Sequence, residues 1–236
     1  MSDDGYGQYC PISMTAELLC TRWTMLVIRE LLNGCNRFNE LRRALPRMSP
    51  ALLSLRLTEL ADAGVVARRP LGIAGDPHAY VLTEAGAALG DVVGAFAVWG
   101  QTWMERQATL DNASPDHLMW ELRRHARPDR APRTPSVINF IFDEQPTPKA
   151  NWWLILETAE TAEVCHDDPG RDPDLYVLTD VRTLTAIWLG LSLARDEVDK
   201  GSLVLTGDRR LADTLQGWLG LSPVSGVPKR GGVRPR

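Results

Sequence analysis

The sequence predicts an α+β protein of two modules: a small helical module that ends in a β-hairpin and a long helix, then an α/β module. Three observations carry this expectation. Apolar residues recur at helical spacing in three short segments between residues 22 and 64, each with its own stop signal. Two strand-like runs then flank a Gly- and Pro-containing turn at residues 71–77. From residue 136 onward four strand-like runs follow one another before helical patterning returns.

Composition narrows the function classes. Twenty-six basic residues against thirty acidic ones leave a net charge of −4, which excludes a uniformly basic nucleic-acid coat. The longest nearly apolar stretches, 92–100 and 184–194, fall short of the ~18 residues a membrane span needs. The first residues, Met-Ser-Asp-Asp-Gly, lack the apolar core of a signal peptide, so a cytoplasmic protein without membrane contact is expected. Cysteines at 10, 20, 35 and 165 show no C-x-x-C spacing, which points away from a zinc site or a disulfide framework. No cofactor is expected.

Taken in order, residues 22–33 place Trp23, Leu26, Val27, Leu31 and Leu32 on one helical face, and Asn33-Gly34 ends the helix. A second short helix has Phe38, Leu41 and Leu45 as its apolar contacts and stops at Pro46. Ser49 caps a third helix that opens on Pro50, where a missing N–H costs nothing. Leu53, Leu57 and Leu60 form its inward face and Gly64 its stop, leaving Pro50, Ala51, Ser54, Leu55, Arg56 and Thr58 outward. Strands at 65–69 and 78–82 complete a helix–helix–helix–hairpin series, the order of a winged helix-turn-helix.

Charge supports a phosphate-facing surface. Residues 37–69 hold seven arginines against Glu40, Glu59 and Asp62, a local excess on an acidic protein. Arg37, Arg68 and Arg69 are the expected phosphate contacts, with His78 at the hairpin. Ser49, Pro50, Ala51, Ser54, Leu55 and Arg56 are the expected approach to base edges in the major groove. Thr83 caps a long helix from Glu84 to about Arg106, whose stripe of Phe96, Trp99 and Trp103 is the expected subunit interface.

Residues 10–106 resemble the HxlR family of bacterial winged-helix regulators. The resemblance runs through Cys10-Pro11, Arg22-Trp23-Thr24, Ile28-Arg29-Glu30-Leu31-Leu32, Arg37-Phe38-Asn39-Glu40-Leu41, Met48-Ser49, Leu57-x-x-Leu60 with Gly64, and Tyr80-x-Leu82-Thr83-Glu84-x-Gly86. It implies a homodimer joined through the N-terminal and last helices, with Ser49–Thr58 as recognition helix. It also implies that Cys10 is a candidate redox sensor, whereas Cys20, Cys35 and Cys165 read as apolar fillers. The chain departs from the family at Cys20-Thr21, where glycines are usual, and at Pro77-His78-Ala79-Tyr80 in the wing.

The second half begins with a helix over 116–126, then strand-like runs at 136–142, 152–158, 162–166 and 175–179. The first of these is apolar on both faces, which predicts cover on both sides of the sheet. The acidic loop Asp167–Asp174 reads as a solvated turn, since two prolines and the spacing do not fit a calcium loop. Asp180 caps a helix closing near Arg195, and a strand at 202–205 leads to a final helix with Leu211, Leu215 and Trp218. This order, with the phrases at 174–180, 200–208 and 211–215, resembles the sterol carrier protein type 2 domain over roughly residues 116–220. The resemblance implies an apolar tunnel, for which Phe142, Trp153, Leu184 and Trp188 are the candidate walls.

The sequence thus predicts a winged-helix module at 1–110, a sterol-carrier-like domain at 111–221 and a disordered Gly/Pro-rich tail at 222–236. No nucleophile elbow, phosphate loop, dinucleotide fingerprint or metal-spaced histidine pair is present, so no enzyme activity is expected. The expected function is that of a homodimeric regulator binding double-stranded DNA, with a small hydrophobic ligand in the second domain as modulator and the long helix as lever. The alternatives are a lipid carrier and a thiol redox regulator acting through Cys10.

Overall fold

The computed structural model describes residues 5–70, 78–146 and 150–233; the predicted wing turn at 71–77 lies outside them. The chain divides into two units, Met1–Ala97 and Val98–Arg236. The division falls inside the long helix rather than near residue 110.

In the first unit, α1 (Pro11–Leu19) is followed by α2 (Thr24–Leu32), α3 (Phe38–Ala44) and α4 (Pro50–Asp62). The core is the inward faces of these helices: Val27, Ile28, Leu41, Leu53, Leu57 and Leu60 are nearly inaccessible. Periodicity located the inward faces of α3 and α4, but in α2 it chose Leu26, which is exposed, and passed over Ile28, which is fully buried. It did not find α1, where Ile12 and Met14 lie exposed and only Ser13 and Leu19 are buried. Glu30 is fully buried and paired with Arg29, whose guanidinium lies 2.6 Å away. Gly64 takes φ +73 just past the C-cap of α4, a conformation that favours glycine, and turns the chain into the hairpin.

Strands β1 (Val66–Pro70) and β2 (His78–Leu82) pair antiparallel, from Val66 opposite Leu82 to Pro70 opposite His78. Helix α5 (Glu84–Trp103) follows, shorter at its C-terminal end than predicted; its 20 residues span about 30 Å. Its first turn is locked to the hairpin. The Thr83 hydroxyl donates to the Gly64 carbonyl at 2.7 Å, and a Cβ on Gly86 would stand 2.1 Å from the Val65 carbonyl oxygen. Gly86→Ala is therefore expected to destabilise the first unit by about 1–3 kcal/mol or more, because neither the helix backbone nor the Val65 carbonyl, which also accepts from the Thr83 N–H, can yield cheaply. Urea unfolding of the variant checks this.

The second unit adds short helices α6 (Arg106–Asp111) and α7 (Pro115–His125), then a five-stranded sheet. Its strands are β3 (Ser136–Phe142), β4 (Asn151–Leu156), β5 (Ala162–Cys165), β6 (Leu175–Thr179) and β7 (Leu203–Gly207), in the order β5-β4-β3-β6-β7. Only β3 and β6 among these pairs run parallel. One face, bearing Ile138, Phe140, Phe142, Trp152, Leu154, Leu175 and Val177, packs in a core with Leu118, Met119, Leu122, Leu184, Ile187 and Trp218. On the opposite face the central Val137 and Ile155 are buried, whereas Tyr176, Leu178 and Val204 are exposed. Cover on the second side is thus partial.

The helix predicted from Asp180 to near Arg195 stops early as α8 (Val181–Trp188), with Gly190 at φ +71 just beyond it, and an unpredicted helix α9 (Ala194–Asp199) follows. The other predicted helix is broken in two. The last segment forms α10 (Arg209–Asp213) and α11 (Leu215–Leu219), with Thr214 between them out of helical geometry. The predicted cap is in place, with Asp180 accepting from the Thr183 N–H at 2.8 Å; Asp208, not predicted as a cap, accepts from the Arg210 N–H at 2.8 Å.

The expected disordered tail is instead ordered through Val233. Ser222 donates its N–H to the Trp188 carbonyl at 2.8 Å, the Arg230 N–H reaches the Thr102 carbonyl at 2.7 Å, and Val233 bridges to Met104. Little apolar surface is buried, so composition predicted disorder; the backbone hydrogen bonds to α5 and α8 are what hold it.

Candidate nucleic-acid interface

Helix α4 is presented by its N-terminus. Ser49 has extended backbone and its hydroxyl accepts from the Leu52 N–H at 3.3 Å, while Pro50 occupies the first helical position. With Leu53, Leu57 and Leu60 inward, the outward face carries Ser49, Pro50, Ala51, Ser54 and Leu55, all exposed. These side chains are small or short. A helix with such a face can bring its backbone close to base edges, and Ala51 and Leu55 can meet a thymine methyl group.

Arginines surround this face unevenly. Arg37 sits at the head of α3 and is exposed; its own N–H and that of Asn36 donate to the Glu40 carboxylate at 3.0 Å each, which fixes the entry to the helix. Arg42, Arg43 and Arg47 are exposed as well. Arg68 donates to the Thr58 hydroxyl at 2.7 Å, so its guanidinium lies against the flank of α4. Strand alternation directs neighbouring Arg69 to the other face of the hairpin, beside Ala79 across the register. His78 is exposed at the hairpin's described end, opposite Pro70.

Arg56 does not join this set. Its Nε donates to the Arg22 carbonyl at 3.2 Å, its Nη1 pairs with Glu59, and the side chain is only 13% exposed. The outward helical position is offset by a long side chain that folds back to brace α4 against the segment before α2. Arg56→Ala is expected to lower stability by about 1 kcal/mol, read from the urea midpoint. Sequence reasoning could not see this, because periodicity assigns a Cβ direction and not the reach of a guanidinium.

A second feature of the same unit is apolar. A groove of about 640 Å³ lies between α1, α2 and α5, walled by Ile12, Leu19, Trp23, Leu26, Val92 and Phe96 among others. Ile12 is 79% exposed and Phe96 61% exposed, with Tyr9 and Met14 open beside them. Trp99 and Trp103, in the second unit's part of α5, are also exposed, and the Arg230 guanidinium stands over the Trp103 ring at 5.8 Å. Cys10 is half-buried and immediately precedes α1. Cys35 is buried, as expected of a filler, but Cys20 is exposed and lines the groove.

Three of the four candidate tunnel walls of the second unit meet in one core, and the fourth stands apart. Phe142 and Leu184 are fully buried in the packed core, with half-buried Trp188 against it. Trp153 stands on the opposite sheet face, because its neighbour Trp152 belongs to the core and adjacent strand residues alternate.

Residues 18–108 match the family model described as HxlR-like helix-turn-helix. The chain is 36% identical over 99 residues to an uncharacterized HTH-type transcriptional regulator, YvaP, of Bacillus subtilis (strain 168), covering 42% of this chain and 92% of that protein. The chain belongs to the HxlR-like helix-turn-helix family. A second HTH-type transcriptional regulator of the same organism, YdeP, is 32% identical over 112 residues, covering 48% of this chain and 86% of YdeP. Among solved structures, the reduced form of the transcriptional regulator YodB from B. subtilis shows 35% identity and a TM-score of 0.36, covering 40% of this chain and 93% of YodB. The HxlR-like match ends within α6, so the sheet of the second unit lies beyond it.

Proposed function

We propose that the protein is a homodimeric transcriptional regulator that reads a pseudo-palindromic DNA operator through α4 of each protomer. The observation that carries this is the exposed row Ser49, Pro50, Ala51, Ser54 and Leu55 on a capped helix, flanked by exposed Arg37, Arg42, Arg43 and Arg47. Family membership and the regulator names of the relatives support it. Small side chains allow groove entry and the arginines supply sequence-independent phosphate affinity. The open groove between α1, α2 and α5 supports self-association, because an apolar surface of this kind is costly to leave in water. Two recognition helices related by a two-fold axis then meet successive major grooves about 34 Å apart.

The further part of the proposal, a sterol-carrier-like effector module in the second unit, rests on the sequence resemblance at residues 174–180, 200–208 and 211–215 alone. The tight packing around Phe142 and Leu184 does not support an apolar tunnel at those residues. Modulation follows only if an effector binds the DNA-competent and incompetent dimers unequally.

Selection from a random duplex pool, followed by fluorescence anisotropy across a salt series, tests the reading. An inverted repeat should be enriched and affinity should fall steeply with salt. Replacing Arg37 or Arg47 with alanine should make the log–log slope shallower by about 0.9 for each phosphate that a protomer no longer neutralises. Failure to enrich any sequence, with no salt-dependent duplex binding, would refute it.

A further inference from the structure

The open side of the second unit's sheet holds a cavity that the DNA-reading surface does not involve. It has a volume of about 430 Å³ and is lined by Asn139, Trp153, Tyr176, Asp168, Arg171 and Asp172, with Gly170 and Pro173 completing the wall. That volume lies in the range of small-molecule sites. The floor is set by strand register. Asn139 of β3 is directly opposite Trp153 of β4 on one side and Tyr176 of β6 on the other, so the three side chains form a row on one face. Neighbouring strands are about 4.8 Å apart, which puts the two aromatic residues roughly 9.6 Å from each other across the amide. Asn139 is 3% exposed in a strand that is otherwise apolar from Val137 to Phe142, and its Nδ2 donates to the Trp152 carbonyl at 3.3 Å. That hydrogen bond offsets part of the cost of burying the amide.

The roof is the acidic loop between β5 and β6, and it is anchored at both ends. The Asp168 carboxylate accepts from the Gly170 N–H at 2.8 Å, and Asp174 accepts from the Val137 N–H at 2.8 Å while pairing with Arg133. Arg171 is drawn to Glu157 at 2.6 Å, so its charge is answered by a carboxylate outside the cavity lining. Asp168 and Asp172 then set the sign of the field inside. Cys165, opposite Trp153 across the register, has its thiol pushed above the ordinary range by burial first, then by the charges of Asp167, Glu163 and Asp168, with Arg171 acting the other way.

Aromatic faces combined with carboxylates are the chemistry that recognises organic cations, since the ring quadrupole and the anions act in the same direction. We propose that this cavity binds a small organic cation of the quaternary or alkylammonium class, held between Trp153 and Tyr176 and neutralised by Asp168 and Asp172. Of the wall residues expected from the sequence, Phe142, Leu184 and Trp188 belong to the core on the other side of the sheet and take no part, whereas Trp153 lines this cavity. The site stands independently of the DNA-reading function and is tested without DNA.

The test is calorimetric titration of the full-length protein with choline and with its neutral isostere 3,3-dimethylbutan-1-ol. Choline should bind saturably, and the neutral compound at least tenfold more weakly. Trp153→Leu and, separately, the surface change Asp172→Asn should each weaken choline binding by about tenfold or more. The Asp172 variant keeps the test informative if loss of a tryptophan disturbs the sheet, and the thermal midpoint of each variant reports folding. Equal binding of the charged and neutral compounds, absence of binding at millimolar choline, or unchanged affinity in a folded Asp172→Asn variant would overturn the assignment.

Discussion

Replacing Ser54 with glutamate should weaken binding to a selected DNA duplex at least a hundredfold while leaving the thermal midpoint nearly unchanged. Ser54 is exposed on the outward face of α4, one turn past the Ser49 cap, and contributes nothing to the Leu53–Leu57–Leu60 core. A carboxylate there costs the folded protein little. Against DNA it meets base-edge acceptors and nearby phosphates, and a dimer places two such charges on one site. Removing one base interaction costs about 1–3 kcal/mol, so two copies cost about 2–6 kcal/mol, roughly thirtyfold or more, and repulsion between each carboxylate and the phosphates carries the loss past a hundredfold. Fluorescence anisotropy at fixed salt measures it. A variant that folds and binds normally would place the DNA elsewhere on the molecule.

Phe96→Asp should convert the protein to a monomer at micromolar concentration and reduce operator affinity by at least two orders of magnitude. Phe96 is 61% exposed at the rim of the groove that also contains Ile12 and Leu26. Burying such a ring against a second copy contributes roughly 2 kcal/mol per protomer, and an aspartate there adds the penalty of a desolvated charge. Affinity falls because each monomer keeps only one half-site. Light scattering after size exclusion gives the mass, and the anisotropy assay gives the affinity. A dimeric Phe96→Asp variant would remove the groove from the interface.

Much of the first unit was legible because its signals are local. A serine followed by proline marks the start of α4, three leucines at helical spacing mark its buried face, and Gly64 marks its end. Gly86 was recognisable only by resemblance; its reason, the approach of the Val65 carbonyl, is a tertiary fact. Arg56 shows the complementary failure, where the direction of the residue was right and the destination of its guanidinium was not. In the second unit the strands were readable from their apolar runs, but the pairing was not. Trp152 and Trp153 must face opposite ways on any sheet, and nothing local says which one enters the core. The wrong choice places Trp153 with Phe142, whereas the register places it with Asn139 and Tyr176. The tail was misread because composition counts side chains, while backbone groups fasten residues 222–233.

Hydroxyl-radical footprinting of the full-length protein on a selected duplex tests most directly that two copies of α4 read neighbouring grooves. Two protected segments related by two-fold symmetry and centred about ten base pairs apart are expected, both abolished by Ser54→Glu. A single unsymmetrical footprint, or the same protection with the Ser54→Glu protein, would contradict it.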